Sequence, residues 1–260
     1  MSTHEFCRIE RDGAVLTVTI DRPEMHNALH PPAHRELAQA FDDFARDPDL
    51  RVAILTGSGV RAFCVGSDLK ARAALGRDDM PATGFAGITM RFDLFKPVIA
   101  AVNGLAIGGG FETVLACDLV VAADHAAFAF PEPRVGLTAT GGGGLQRLAR
   151  QIPLKQAMGL ILTGRRISAA EALGLGLVNE VVPGVDLMAR ARGWATEILA
   201  GAPLAIEASK QVALGSLTRA DLAAAMAADY PALGRALASD DAIEGPRAFA
   251  EKRAPRWRGR

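Results

Sequence analysis

One glutamate stands where a charged side chain is costly, and a second lies between prolines downstream of it. Glu112 follows two residues after three successive glycines in NGLAIGGGFETVLACD, at the start of an otherwise apolar run. Glycine inside a helix costs about 0.5–1 kcal/mol relative to alanine. A buried carboxylate costs more unless it is paired or neutralised. Two such penalties side by side mark a site, because sequences break these rules mostly where function requires it. Glu132 lies between two prolines at the end of an apolar stretch, FAFPEPRVGL. Taken alone, that Pro-Glu-Pro reads as an exposed charged turn.

The glycines admit several accounts. A dinucleotide fold needs G-x-G-x-x-G between a strand and a helix, but Thr113 occupies the third glycine position, and no G-x-x-x-x-G-K-[ST] phosphate loop occurs. An oxyanion hole is a third account: glycine lets a backbone N–H at a helix N-terminus approach a substrate carbonyl. Close helix–strand packing is the plain alternative, and this stretch alone does not separate the two. RAFCVGSDLKA (Arg61 to Ala71) again puts a glycine between a strand and an expected helical turn, where an ordinary turn capped by Asp68 is the plain alternative.

The elements that position these residues are legible in outline. AVLTVTI (Ala14 to Ile20) is rich in β-branched residues and reads as a strand, followed by a turn at DRPEMHN. Leu37, Phe41 and Phe44 fall on one face of a helix from Ala33 to Arg46. RVAILTG, PVIAAVNG, DLVVAA and AAFAF are short strands, and helical segments between strands argue for α/β crossovers. After Gly141 the pattern turns helical. Ser168 and Glu171 have capping-box spacing, and helices are expected over 185–199, 203–214 and 218–230, the last broken or kinked by Pro231. One more helix and a basic tail end the chain.

The 260 residues are half hydrophobic, ample for a sizeable core, and Lys plus Arg equals Asp plus Glu at 29 each. No global field therefore favours nucleic acid or an anionic membrane. The three cysteines, Cys7, Cys64 and Cys117, have no metal-ligand spacing and read as reduced thiols. The N-terminal stretch lacks a signal core, and apolar runs are broken well short of a span, so a cytoplasmic protein with no membrane partner is expected.

AFCVGSDLK, NGLAIGGGFE, ACDLVVAA and FAFPEPRVGL, in this order and spacing, resemble the signature of the enoyl-CoA hydratase/isomerase (crotonase) family. LTGRRISAAEALGLGLVNEVV is similar to the segment that follows it, and FAEKRAPRWRGR to the family's C-terminal end, so the resemblance spans nearly the whole chain. It implies an α/β fold of the ClpP/crotonase type. Residues 1–185 would form a spiral of ββα turns that binds acyl-CoA, and 186–260 a C-terminal helical trimerisation region. A homo-trimer or hexamer is the implied assembly.

The resemblance also implies roles. Ser67 and Gly109 match the two backbone N–H groups that bind the thioester oxygen, and Glu112 and Glu132 match the two hydratase carboxylates. Glu112 would chiefly orient and deprotonate water, and Glu132 would chiefly handle the proton at C2. Coenzyme A, part of the substrate and not a cofactor, would be held by Met25, His26, Ala28, Gly66, Ser67, Asp68, Leu69, Lys70 and Gly109. Lys70 could equally be an ordinary solvated lysine. Lys252 and Arg253 are further candidates for the phosphates, whereas His26 and His30 are read as non-catalytic and no metal is expected. Keeping both carboxylates points to an enoyl-CoA hydratase, adding water syn across the 2,3 double bond.

One departure qualifies the substrate. The family's GLxPGAGGTQRL loop stands here as GLTATGGGGLQRL, longer by one and without the proline, with hydroxyls at Thr138 and Thr140. A polar acyl group, as in carnitinyl-CoA dehydration, is therefore the alternative. An isomerase, an acyl-CoA hydrolase using the same hole and a non-catalytic RNA-binding member are the remaining rivals. The balanced charge speaks against nucleic acid.

Overall fold

The computed structural model describes residues 4–75 and 79–260. The chain enters through an antiparallel hairpin of β1 (Cys7–Asp12) and β2 (Val15–Ile20), in register from Cys7 opposite Ile20 to Asp12 opposite Val15. Helix α1 (Pro31–Arg46) then buries Ala33, Leu37, Phe41 and Phe44. Three turns of one plan follow, each a buried strand, a tight corner, a short strand and helix. The first is β3 (Val52–Gly57), β4 (Ala62–Cys64) and α2 (Leu69–Leu75). The second is β5 (Val98–Val102), β6 (Leu105–Ile107) and α3 (Gly109–Ala116). The third is β7 (Leu119–Ala123) and β8 (Ala127–Ala129), then α4 (Gly144–Gln151) and α5 (Leu154–Thr163). Strand β9 (Ile167–Ser168), helix α6 (Ala169–Gly174) and strand β10 (Glu180–Val182) close the spiral.

First strands stack into one six-stranded sheet, ordered β1-β2-β3-β5-β7-β10, and second strands into a four-stranded sheet, β4-β6-β8-β9. Every turn runs the same way, so pairing is parallel from β2 through β10 and antiparallel only at β1–β2 and β8–β9. Every residue of β3 and β5 is buried, as continuous apolar strands in a parallel sheet require. Two buried asparagines stitch the corners. Asn27 donates to the Ser58 and Ala62 carbonyls, and Asn103 to those of Gly59 and Ala62, while the Asn103 Oδ1 accepts from Gly57.

Helix α7 (Leu187–Leu199) lies across β3, β5 and β7, and its Leu187, Ala191 and Ala195 belong to the main core. Beyond it come α8 (Pro203–Ser216), α9 (Leu222–Met226), α10 (Pro231–Leu237) and α11 (Asp240–Ala250). Helices α8 and α10 share a small cluster of Ala208, Ala232 and Ala236.

Some elements differ from the sequence expectation. Strand β1 reads as polar because only Cys7 is buried in it, so apolar patterning does not reveal it. The helix expected over 218–230 shrinks to α9, which Asp221 caps by accepting from the Ala224 N–H at 2.8 Å. Pro231 opens α10 instead of ending a helix, since a first-turn proline has no hydrogen bond to lose. Ser168 caps α6, accepting from the Glu171 N–H, while the Glu171 carboxylate turns to Arg165.

The basic tail folds back on the helices. Asp241, 3% exposed, accepts from the Arg258 and Gly259 N–H groups at 2.7 and 2.8 Å, and the Trp257 Nε1–H donates to the Ala200 carbonyl. Asp241→Ala leaves two donors without their acceptor and should lower stability by about 1–3 kcal/mol. Urea unfolding of the variant should show a lower midpoint, and an unchanged midpoint would mean the tail adds nothing to the fold.

Candidate active site

The site is built where α3 begins. Gly108, at φ 57° and ψ −125°, turns the chain out of β6, and Gly109 is the first helical residue. A Cβ on Gly110 would stand 1.9 Å from the Cys64 carbonyl oxygen, and one on Gly109 would stand 2.5 Å from the Phe85 ring. Nothing but hydrogen fits at either. The helix start is thereby pressed against the end of β4 and the loop after it.

That loop carries Gly66 and Ser67. A parallel bridge joins Ser67 to Leu29: the Leu29 N–H donates to the Gly66 carbonyl and the Asp68 N–H to the Leu29 carbonyl, both at 2.8 Å. The Gly66 N–H donates to Cys64 Sγ at 3.4 Å, and burial pushes that thiol up to about 12. The Ser67 and Gly109 N–H groups have no acceptor among the described residues. A Cβ on Gly66 would lie 3.2 Å from the Gly109 nitrogen, so the two segments meet. Packing and an unengaged donor, the two accounts of the glycine run, are both present on adjacent residues.

Glu112 sits one turn into α3, 3% exposed, with Oε1 accepting from the Gly144 N–H at 2.9 Å. Burial raises its pKa, against the N–H groups of Gly144 and Gly142 and the charge of Arg147. Glu132 begins a 3-10 turn (Glu132–Val135) directly after Pro131. Its Oε2 is buried without a hydrogen-bond partner, and its Oε1 lies 2.7 Å from where a Gly108 Cβ would be. Burial pushes Glu132 up to about 6, with the Glu112 charge adding to the effect and its own backbone N–H opposing it. Two carboxylates and two free donors thus converge on one helix N-terminus.

The glycine-rich loop closes this shell. A Cβ on Gly142 would stand 2.9 Å from the Glu112 Cβ, and one on Gly144 would stand 2.6 Å from Phe130 and 2.8 Å from the Glu112 Cγ. Arg147 donates to the Gly142 and Thr89 carbonyls at 2.5 and 2.6 Å. Thr138 and Thr140 are exposed and face one another, with hydroxyls 3.1 Å apart.

The coenzyme A candidates form two segments that the Leu29–Ser67 bridge sets side by side. Met25 ends a short 3-10 turn, and His26 and Asn27 adopt left-handed backbone at φ 53° and 57°. Arg22 fastens the segments together, donating to the Ala28 carbonyl and pairing with Asp68 at 3.2 Å. The Asp68 carboxylate also caps α2 through the Ala71 N–H, so its acceptors are in use. Leu69 and Lys70 are exposed at the start of α2. Lys252 is exposed too, whereas Arg253 is committed to Glu244 and Glu251.

Sequence reasoning passed over Arg22, His34 and Arg147. His34 lies among the apolar positions of α1, accepts from the Ala86 N–H at 3.1 Å and packs edge-on to Phe85. Burial lowers it to about 4, so it is neutral. Arg147 was in view within GLQRL, but no pattern tied it to Glu112, which lies 35 positions earlier.

Gly141 and Gly142 offer a paired test of the shell. A Cβ on Gly141 meets nothing nearer than the Met80 Cε at 3.8 Å. Gly141→Ala should therefore keep or slightly raise thermal stability. Gly142→Ala forces Glu112 aside and should cost about 1–3 kcal/mol. Equal melting temperatures for the two variants would contradict this packing.

The family model described as enoyl-CoA hydratase/isomerase matches residues 10–260. A carnitinyl-CoA dehydratase of Proteus mirabilis is 46% identical over 95% of this chain and 96% of that protein. Among solved structures, an enoyl-CoA hydratase of Mycobacterium marinum is 42% identical, with a TM-score of 0.92 over 98% of this chain and 99% of that one. A carnitinyl-CoA hydratase of Mycobacterium avium is 41% identical, with a TM-score of 0.78 over 99% and 100%. No described helix is long and apolar enough to cross a membrane. By its spiral of ββα turns and by these matches, the chain belongs to the enoyl-CoA hydratase/isomerase family.

Proposed function

We propose that this protein is a hydro-lyase that removes water from, or adds it to, the acyl group of a CoA thioester, with carnitinyl-CoA as the substrate. The observation that carries the reaction class is buried Glu112 and half-buried Glu132, whose Oε2 is shielded and unpartnered, beside two unengaged N–H groups. The relatives named for carnitinyl-CoA support the substrate. Carnitinyl-CoA carries a hydroxyl on C3 and a quaternary ammonium on C4, so its loss of water is ordinary 3-hydroxyacyl thioester chemistry.

In this reading the thioester oxygen accepts from the Ser67 and Gly109 N–H groups. Its charge grows as the C2 proton leaves, so fixed donors stabilise the enolate more than the neutral ground state. The N-terminus of α3 adds its dipole. The Glu132 carboxylate takes the proton from C2, the C3–O bond breaks, and the Glu112 carboxyl gives the leaving hydroxide its proton. Hydration is the reverse: Glu112 deprotonates water at C3, and Glu132 protonates C2. One proton is shared by the pair. Glu112, with two N–H donors and Arg147, is the better anion; Glu132, with an unpartnered oxygen, is the better acid.

A simple enoyl-CoA hydratase is the second reading, favoured by the solved neighbours of that name. A panel of carnitinyl-CoA and straight-chain 3-hydroxyacyl- and 2-enoyl-CoAs, followed by the absorbance of the conjugated thioester, separates the two. Carnitinyl-CoA should show the highest kcat/KM; preference for a straight-chain ester would favour the second reading.

Glu112→Gln and Glu132→Gln should each lower turnover by at least about 10², with little change in binding of the CoA ester. If both variants stay active, the pair is structural. The pH profile follows from the same geometry. Hydration needs Glu132 protonated, so kcat/KM should fall as pH rises through about 6, and it should fall again in acid as Glu112 takes a proton. Dehydration needs the same single proton on the pair and should share both limits. A rate that climbs steadily from pH 6 to 9 would rule out this assignment of the proton.

Assembly is part of the proposal. Leu214, Leu217, Leu222, Met226, Leu237 and Phe249 are exposed large apolar residues on the C-terminal helices. That is more than a solvated flank needs, and we assign this surface to a homo-trimer or hexamer. Light scattering should give a multiple of three chains, and a stable monomer at micromolar concentration would count against it.

A further inference from the structure

We propose that Arg147 is a positioning residue that fixes which glutamate holds the proton, by clamping the glycine-rich loop onto Glu112 and setting a positive charge beside it. The inference rests on the hydro-lyase reading above. Its basis is the geometry of one guanidinium. Nη1 donates to the Gly142 carbonyl and Nη2 to the Thr89 carbonyl, so the side chain ties the loop to the segment before β5. Gly142 and Gly144, on either side of the clamped loop, are the residues whose N–H groups face Glu112. A Cβ on Gly143 would stand 2.7 Å from Nη1, so that position too is kept bare for the guanidinium. The ring of Phe92 covers it, with its centroid 5.7 Å from Cζ. Two carbonyls on separate segments and an aromatic cover suit a planar fork and not an ammonium.

The other groups around α3 do not supply this charge. Helix α4 also carries Arg150, which is exposed and donates to the Gln146 carbonyl. Strand β4 brings Cys64, and Cys117 follows α3; burial pushes both thiols up, so they stay neutral. The turn Phe85–Gly87 carries no titratable side chain and is backed by neutral His34. Strand β6 carries none. Glu132 is the remaining neighbour, and its charge repels that of Glu112.

The test reads Glu112 directly. In a Glu132→Gln background, the carboxyl stretch of Glu112 is titrated by infrared difference spectroscopy, with the Glu112→Gln/Glu132→Gln protein as blank. Adding Arg147→Gln should move the Glu112 midpoint up by about one unit or more, the size expected for losing an adjacent opposite charge. With Glu132 intact, Arg147→Gln should shift the acid limb of kcat/KM upward by a similar amount while KM stays within about threefold. A merely structural arginine would lower the rate at every pH and leave both midpoints in place, and that result overturns the proposal. Arg147→Lys supplies a second variant should glutamine prevent folding. Lysine keeps the charge but cannot serve both carbonyls, so the Glu112 midpoint should rise by less than with glutamine while kcat drops at least tenfold; full activity, or a lowered rate with an unmoved midpoint, would overturn the clamp. A shifted Glu112 midpoint in a protein that turns over none of the acyl-CoA panel would leave the role of Arg147 standing and sink the hydro-lyase reading instead.

Discussion

The contact on which the site depends is the approach of Gly110 to the carbonyl of Cys64. Helix α3 starts where it does because the backbone of one turn of the spiral touches the end of the strand from the turn before it. A methyl group on Gly110 would stand 1.9 Å from that oxygen, so the helix would have to move away. With the contact made, the N–H of Gly109 comes beside the loop carrying Gly66 and Ser67, and the helix lays Glu112 into the interior one turn later. The spiral generates this juxtaposition directly. Successive turns stack in parallel register, so the corner after β4 and the corner after β6 are neighbours in space although some forty residues separate them. Two donors from distant segments are thus brought together by topology, not by a local motif.

The two glutamates show how burial can be used unequally. Glu112 is buried and Glu132 half-buried, which raises the cost of charge on each. Glu112 recovers much of that cost from backbone donors and a guanidinium. Glu132 sits on a proline-bounded turn that offers one oxygen nothing. Equal side chains in unequal surroundings are pushed to unequal acidity, Glu112 by its backbone donors and the Arg147 charge, Glu132 by the want of them. The glycine-rich loop matters here because it supplies donors without side chains that would occupy the same space.

Much of this was legible in the sequence. The apolar runs give β2, β3, β5 and β7, and the family resemblance gives the spiral and the residues brought together at its centre. What patterning missed shares one physical cause. Strand β1 is an edge strand with a single buried residue, so it has no apolar signature. Arg22, His34 and Arg147 act through backbone carbonyls, amides or carboxylates on segments remote in sequence, and such partners leave no spacing to read. The GGGG run illustrates the same limit. As a departure from the family loop it pointed outward, to the acyl group. In the structure Gly142, Gly143 and Gly144 also face inward, against Glu112, Phe130 and Arg147.

The sulfur of Cys64 sits beneath the donor loop and accepts from the Gly66 N–H, fully buried and poorly acidic. Thiol reagents attack the thiolate and need a path to it. Alkylation of this sulfur is therefore a clock for the opening of the segment that holds Ser67: in the closed protein the reaction waits, and its rate measures how often β4 and the loop part from α3. The polypeptide carries its own reporter of how rigidly the corner at Ser67 is held.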